Sequence, residues 1–343
     1  MRDWVSTPAR AALACLSLIA LPAAAEAGEL HLQPGIFTDP EFNPTYSLGA
    51  NISQANGSAH EYVYWKTGTY KASELDWKIN NVTMLNATLG LRFTPWLGLD
   101  LSAGTKVNAS KSYLQDTDWV WHGQDTWDLH SDSPDTLVKG ANRVDALATL
   151  ALYRHPNFSV NALAGVRWNE WEFEATGGTF IYSSDANHLR DKIGSLPDDR
   201  AGITYKQDLL TPYLGLGIDA NFGRFGLNAS ATGSDWVFAN TYDQHHLRTD
   251  ISKTGGLFND TMHDGKYYDI KFGGAYTYSE RVSFNASWER EDYLLVRGQT
   301  NIYAIGVGVN GTGGGGGINF PGPSGGIDNS TDRYSVGVTY KMP

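Results

Sequence analysis

The sequence alternates apolar and polar residues through most of its length. Segment 85–93 is typical: Leu, Ala, Leu, Leu and Phe hold its odd positions, and Asn, Thr, Gly and Arg hold the even ones. Because side chains two residues apart lie on the same face of a β-strand, such a segment has one wholly apolar face. With an opening strand near 45–65, the pattern predicts about ten strands. The other alternating segments are 97–103, 144–152, 158–166, 214–220, 225–231, 270–276, 282–288 and 334–340.

The connections between these segments are of two kinds. The tight ones lie at 94–95, 155–157, 223–224 and 279–280, and most of the others are long and polar, at about 116–141, 183–200, 248–263 and 300–328. Outer-membrane barrels sort their connections in this way, with short periplasmic turns and long outer loops. Aromatic residues also gather beside the tight turns, as in Phe93 with Trp96 and Tyr278 with Phe284, and form the girdle expected at a membrane interface.

The fold class follows from these two patterns together. No segment after the N-terminus has the roughly 20 consecutive apolar residues of a membrane-spanning helix. A soluble barrel would explain the alternation but not the aromatic girdle. The sequence therefore predicts an all-β fold, a ten-stranded antiparallel transmembrane β-barrel with long extracellular loops.

The N-terminal segment predicts export. Residues 1–27 combine early arginines, a short apolar run and a small-residue cleavage pattern before Gly28, as a secretory signal peptide does. Residues 28–343 would then form the barrel, without cysteine, because Cys15 lies in the signal. The formal net charge of −11 argues against a nucleic-acid partner and favours a cationic substrate.

Two pairs of polar residues are candidates for chemistry. Asp116 and Asp118, like Asp243 and His245, are two positions apart and share a strand face. Together they could form an acid–base centre that activates water. Segments 71–93, 158–182 and 225–247 are about twice the length needed to cross a membrane, so we expect both pairs to face the extracellular side. Alternatively, they are solvated loop acids and a surface hydrogen-bonded pair. Only one histidine points the right way, so we expect no metal and no cofactor.

At these residues the chain resembles the omptin family of outer-membrane proteases. The motifs Asp-Thr-Asp-Trp at 116–119 and Asp-Gln-His at 243–245 carry most of the resemblance. Taken singly each motif is common, but their order and spacing from about residue 57 to the C-terminus are specific. The further matching stretches are 75–78, 80–81, 134–136, 177–178, 181–184, 193–195, 197, 205–207, 212–213 and 236–237.

The resemblance implies an aspartic-type endopeptidase that cleaves at basic residues. In this family the pair matching Asp243 and His245 activates a water molecule, and the couple matching Asp116 and Asp118 helps to hold it. The position matching Glu61 shapes the pocket for the basic P1 side chain. The position matching Asp135 lies near the subsite on the far side of the cut bond.

The chain also departs from the family pattern. The family has a second pocket acid two residues before the catalytic Asp, where this chain has Thr241, so we expect a less strict preference for basic P1 residues.

The family's lipopolysaccharide site matches Val166, Trp168, Glu170 and Asp208, which lack the basic side chains that bind phosphate. We therefore expect that site to be altered, and we expect the nearby Arg167 to point into the barrel because it alternates with Val166 and Trp168. A non-catalytic barrel, acting as an adhesin or receptor through its outer loops, remains the alternative function. A pore is a weaker alternative, because long inward residues such as Arg92 and Lys106 would fill a narrow lumen.

Overall fold

The computed structural model describes residues 43–65, 70–247, 255–308, 315–319 and 322–342, without the side chains of 302–308 and 315–319. The predicted signal peptide, 1–27, lies outside these ranges. Within them no helix is long and apolar enough to cross a membrane. The strands are β1 (Thr45–Trp65), β2 (Tyr70–Arg92), β3 (Leu97–Lys106), β4 (Ser110–Lys111), β5 (Leu114–Asp118), β6 (Leu129–Ser133), β7 (Leu137–His155), β8 (Phe158–Thr176), β9 (Thr179–Tyr182), β10 (Lys192–Ser195), β11 (Ala201–Phe222), β12 (Phe225–His245), β13 (Gly256–Thr277), β14 (Val282–Gly308), β15 (Gly315–Asn319) and β16 (Gly325–Lys341).

Ten of these strands close into a ring of antiparallel pairs. The order around the ring is β1, β2, β3, β7, β8, β11, β12, β13, β14 and β16, and β16 pairs again with β1. Closure leaves no unpaired edge in the membrane, where water cannot satisfy a free backbone group. The predicted ten-stranded barrel is therefore confirmed.

A band of exposed apolar side chains surrounds the end of the barrel that carries the tight turns. Leu48, Leu85, Leu227 and Val336 are each at least half exposed, although all are aliphatic. Apart from Met84, their inward neighbours in sequence are small or polar, as the alternation predicts. The predicted tight turns are confirmed, since β2, β7, β11 and β13 end within a few residues of the next strand. This band is the membrane-spanning part, and the strands continue well beyond it.

The outer half of the barrel contains more strand than the sequence predicts. β13 begins at Gly256, inside the segment expected to be a loop, and β14 continues to Gly308. The two strands remain paired to their outer ends, with Gly256 opposite Ala304. The predicted connections at 248–263 and 300–328 are therefore too long. Outside the membrane a strand needs no apolar outer face, so the alternation fades while the backbone pairing continues.

Near the rim, β2 exchanges one partner for another. Its inner part, Met84–Arg92, pairs with β3, and its outer part pairs with β5, with Leu75 opposite Asp116. From β5 the sheet continues through β6 and β9 to β10. The predicted loop at 116–141 therefore contains the end of β5, all of β6 and the start of β7, and β5 carries Asp116 and Asp118 at the side of the barrel mouth.

The lumen at the level of the membrane is filled by buried, paired charges. Arg167 Nη1 lies 2.6 Å from Glu291 Oε2, and Arg143 Nη2 lies 2.6 Å from Glu289 Oε1. Arg167 Nε also bonds to Asp145 Oδ2 at 2.5 Å. The expectation that Arg167 points into the barrel, opposite to its neighbours Val166 and Trp168, is confirmed. We call the charged residues Arg143, Asp145, Arg167, Asp269, Glu289 and Glu291 the lumen ion network.

Candidate active site

Asp243 and His245 lie at the outer end of β12. His245 Nε2 is 2.6 Å from Asp243 Oδ2, and Asp243 is almost completely buried. The histidine ring stands edge-on to Phe258 on β13, with ring centroids 5.3 Å apart. The predicted pair is therefore formed: alternate residues of one strand point inward together, and the buried carboxylate can orient the imidazole.

Asp116 and Asp118 lie on β5, opposite Leu75 and Ser73 of β2. Asp116 is close enough to Glu61 on β1 to act on its ionisation, and Asp243 acts on the same carboxyl group. The Asp116 and Asp243 side chains therefore both approach Glu61. Asp116 of the first acid pair and Asp243 of the Asp–His pair thus lie near one buried acid at the outer end of the barrel, and we call the space around Glu61 the cleft.

Glu61 and Thr241 form part of the buried floor of this cleft. Glu61 is 1 % exposed and Thr241 is fully buried. Burial, and then the charges of Asp243, Asp260 and Asp116, raise the pKa of the Glu61 carboxyl well above its usual range. Both residues lie beyond the apolar band, toward the loop end of β1 and β12. Glu61 is thus a buried acid among acids, which is the environment expected of a site for a cation.

Aromatic rings support this floor. Trp77 of β2 stacks on Tyr205 of β11 with centroids 5.4 Å apart, and Phe173 of β8 lies 5.3 Å from the same tryptophan. Gln207 Nε2 donates to the Tyr205 hydroxyl at 2.9 Å, and Asn329 Nδ2 donates to Gln207 Oε1 at 3.1 Å. These contacts cross the barrel and hold the walls of the cleft at a fixed separation.

Asp135 lies apart from the buried acids. Its side chain is 69 % exposed, in the turn between β6 and β7, and Oδ1 is 3.5 Å from Lys111 Nζ. The structure therefore places it on the surface of the rim, where its predicted contact with a substrate stays a prediction.

Asp260 on β13 belongs to the cleft, although sequence reasoning did not select it. It is 1 % exposed and lies directly opposite Thr241 in the β12–β13 register. It falls inside the segment expected to be a loop, so its inward orientation was not apparent. One sequence signal was available: Asp260 is two residues from Met262, so the two side chains share a strand face, and Met262 is fully buried.

One group of acids in the described ranges has the spacing of metal ligands: Asp269, Glu289 and Glu291. It belongs to the lumen ion network rather than to the cleft. The Arg167 guanidinium lies 3.3 Å from Asp269 and 2.6 Å from Glu291, so a side-chain cation already compensates these acids.

The outer wall at the predicted lipid site carries one lysine that the family comparison did not point to. Lys206 Nζ lies 2.5 Å from Glu170 Oε2 and 3.4 Å from Asp208 Oδ2. Asn142 Nδ2 donates to the other oxygen of Glu170 at 2.7 Å. The wall thus contains a cation, but this cation is already bonded to acids of the same wall.

Comparisons with known proteins agree with this geometry. The profile of the omptin family matches residues 43–342. Protease 7 of Escherichia coli O157:H7 is 30 % identical over 78 % of this chain and 82 % of its own length, and outer membrane protease OmpP of Escherichia coli K12 is 29 % identical over 75 % and 80 %. The crystal structure of outer membrane protease OmpT from Escherichia coli superposes with a TM-score of 0.78, at 25 % identity, over 87 % of this chain and 97 % of that one.

The family profile spans nearly every described residue, and the relatives are outer-membrane proteases with a barrel of the same form. The family match and the relatives named outer membrane proteases place this chain in the outer membrane as a protease. The chain belongs to the omptin family.

Proposed function

We propose that this barrel is an endopeptidase that cleaves peptides or proteins at basic residues on the extracellular side of the outer membrane. The observation that carries the proposal is the 2.6 Å contact between His245 Nε2 and Asp243 Oδ2 at the buried end of the cleft. A buried carboxylate beside an imidazole stabilises the imidazolium that forms when the ring accepts a proton.

The proposed reaction uses one water molecule. His245 takes a proton from the water as its oxygen forms a bond to the scissile carbonyl carbon. Asp243 holds the ring and stabilises its positive charge. When the carbon–nitrogen bond breaks, the same proton passes from His245 to the leaving amine. Asp116 and Asp118, on the facing β5, would position the water and the substrate.

The charge of the cleft supports a cationic substrate. Glu61 is buried at the cleft floor, and the charged groups that act on it are all acidic. A basic side chain would compensate this carboxylate, whereas a neutral one would leave it buried without a counter-charge. The formal net charge of −11 also favours approach by basic peptides.

We further propose that the usual lipopolysaccharide site is altered. Glu170 and Asp208 take up the charge of Lys206, and Val166 offers no polar group. A lipid phosphate would have to compete with these carboxylates for Lys206.

The test compares neighbouring histidines. His245→Ala, and separately the double variant Asp116→Asn with Asp118→Asn, should lower peptide cleavage by about a hundredfold or more, because a general base contributes at least that factor. His246→Ala is the matched control, because its ring lies 3.0 Å from Thr204 Oγ1 instead of Asp243. Refolded barrels would be assayed on a peptide library by mass spectrometry, with and without a chelator.

Each outcome of this test has a defined meaning. Wild-type rates in His245→Ala would contradict the proposed base. A loss of activity with chelator would favour a metal-dependent reaction. Absence of cleavage by the folded wild-type barrel would favour the adhesin or receptor function. Cleavage without enrichment of basic P1 residues would contradict the proposed specificity alone.

A further inference from the structure

Two buried acids at the floor of the cleft have no role in the proposed activation of water. Glu61 on β1 and Asp260 on β13 are both 1 % exposed. Burial and the charge of Asp243 raise the pKa of each of these carboxyl groups. The charges of Glu61, Asp260 and Asp243 also raise the pKa of the Tyr205 hydroxyl, so all three acids lie near one side chain. Three acids therefore share one buried space.

The acceptor atoms in this space lack donors. Glu61 Oε2 and both carboxylate oxygens of Asp260 have no hydrogen bond of ordinary geometry from the part of the chain that the structure describes. The hydroxyls of Thr241 and Thr300 are near enough to Asp260 to favour its charged form, yet neither aligns as a donor. Buried carboxylates are normally hydrogen-bonded or paired with a cation, so this set is incomplete without a ligand.

The lumen ion network shows that the barrel can supply cations where it needs them. There, Arg143 and Arg167 reach every acid of the group that has metal-like spacing. At the cleft floor, the groups that act on Glu61 are Asp243, Asp260 and Asp116, none of them basic. A positive charge brought by the substrate would complete the floor.

The backbone makes room for the Asp260 carboxylate. Gly325, at the start of β16, has no side chain, and a Cβ added there would lie 2.6 Å from both Asp260 Cγ and Oδ2, and 2.8 Å from Thr300 Oγ1. Any other residue at this position would push the carboxylate away. The close approach of β16 and the register with Thr241 together define where the carboxylate points.

We propose that Asp260 is the second acid of the pocket for the basic P1 side chain, in the place of the acid that position 241 lacks. This inference rests on the proposed cleavage at basic residues. Because Asp260 lies opposite Thr241 on the adjacent strand, its carboxylate serves the space that an acid at 241 would serve. Because residue 241 is Thr, β12 lacks the pocket acid of the family pattern, and Asp260 supplies that acid from β13.

The chemistry favours a guanidinium over an ammonium ion. Asp260 offers two oxygens and Glu61 offers one, all without aligned donors. Arginine presents several N–H groups in a rigid planar fork that can bond to both oxygens of one carboxylate, whereas lysine is a compact point charge. The pocket should therefore prefer Arg to Lys, and both to a neutral side chain of the same shape.

The experiment uses three peptides that differ only at P1: arginine, lysine and citrulline, which keeps the shape of arginine without its charge. Asp260→Asn should lower kcat/KM for the Arg peptide by about tenfold to a hundredfold, as expected for loss of a buried charge partner. Cleavage of the citrulline peptide should change less than about twofold. The control is Asp235→Asn, which removes the same charge from a side chain that is 75 % exposed.

A charge swap sharpens the test. The double variant Asp260→Thr with Thr241→Asp returns one acid to the pocket, on β12 instead of β13, and should recover most of the preference for Arg over citrulline. Barrels that have folded would be selected by their heat-dependent mobility on gels. Asp260→Ser replaces Asp260→Asn if the asparagine variant does not fold.

The outcomes separate this inference from the proposed function. A wild-type preference for Arg that is unchanged in Asp260→Asn and Asp260→Ser would overturn the role of Asp260 alone. An equal loss on the Arg and citrulline peptides would also overturn it, since that is the effect of a structural defect. A wild-type enzyme that does not distinguish Arg from citrulline would overturn both proposals.

Discussion

In the part of the barrel that the structure describes, two groups of buried acids are compensated in opposite ways. In the lumen ion network, Asp145, Glu289 and Glu291 are bonded to Arg143 and Arg167 at 2.5–2.6 Å. At the cleft floor, Glu61 and Asp260 have carboxylate oxygens without aligned donors. Buried acids therefore form salt bridges in the membrane half of the barrel, whereas in the outer half they have carboxylate oxygens without aligned donors.

The difference shows which buried charges contribute to the fold and which to recognition. A buried carboxylate is costly unless a cation or several donors compensate it. Where the barrel supplies that cation, the charges hold the strands together across the lumen. Where it does not, the fold tolerates the cost, and the compensation comes with the substrate. Functional sites commonly reduce stability in this way.

The largest expected effect is on the ion network. Arg167→Met should destabilise the barrel by about 3–5 kcal/mol, because it leaves several buried carboxylates without their counter-charge. Urea unfolding of the reconstituted barrel would measure the loss. Arg200→Met is the control, since Arg200 is exposed and lies 3.3 Å from Asp199, which is also exposed. A loss as small as the control's would contradict the assignment of the network as a structural unit.

At the cleft floor, removal of a charge should have the opposite effect on the free energy of unfolding. Asp260→Asn should stabilise the barrel at pH 8 by on the order of 1 kcal/mol, because it removes an uncompensated buried charge. Burial and the charge of Asp243 raise the pKa of Asp260 in the folded barrel. Below the pKa that Asp260 has in the unfolded chain, the residue therefore does not lower the free energy of unfolding. Its destabilising effect grows as the pH rises through the pKa that it has in the folded barrel.

The gain in Asp260→Asn should therefore shrink toward pH 4. Thermal unfolding at both pH values would measure it, with Asp235→Asn as the exposed control. Glu61, Asp243 and Tyr205 are the ionisable groups that act with Asp260. The charge of Asp260 raises the pKa of Glu61 and of Tyr205, so its removal also eases the ionisation of those two groups and adds to the gain at pH 8. Destabilisation at pH 8 would mean that Asp260 is compensated within the barrel.

The smallest expected effect concerns the outer wall, where charges are paired as in the ion network. Lys206 is bonded to Glu170 and close to Asp208, so it offers little to a lipid phosphate. Adding lipopolysaccharide to barrels refolded in neutral detergent should change peptidase activity by less than about twofold. A strict requirement for the phosphorylated lipid, lost on dephosphorylation, would contradict this prediction.

Local pattern was sufficient for several features of the barrel. The two-residue period predicted that Asp243 and His245 share a face, and their 2.6 Å contact is the consequence. The same period predicted that Arg167 points inward while Val166 faces outward, as their burial shows. The tight turns were visible because the lipid-facing strands on either side carry continuous alternation.

The pattern failed where the membrane ends. Beyond the apolar band both faces of a strand contact water or polar side chains, so nothing requires alternation, and β13 and β14 extend without it. The pairing of their backbones maintains these strands instead. Asp260 lies in this part of the chain, which is why its strand, and the side to which it points, could not be predicted.

The sequence by itself determined the barrel, the face on which each membrane strand meets lipid, and the two same-face pairs at the outer end, because these depend on residues two positions apart. Only the tertiary structure decided that Asp260 lies opposite Thr241, that Lys206 bonds to Glu170, and that Arg167 bonds to Glu291 across the lumen. Those relations depend on strand register, on which strands are neighbours and on the width of the barrel. Each is set by closure of the whole sheet and by no local run of residues.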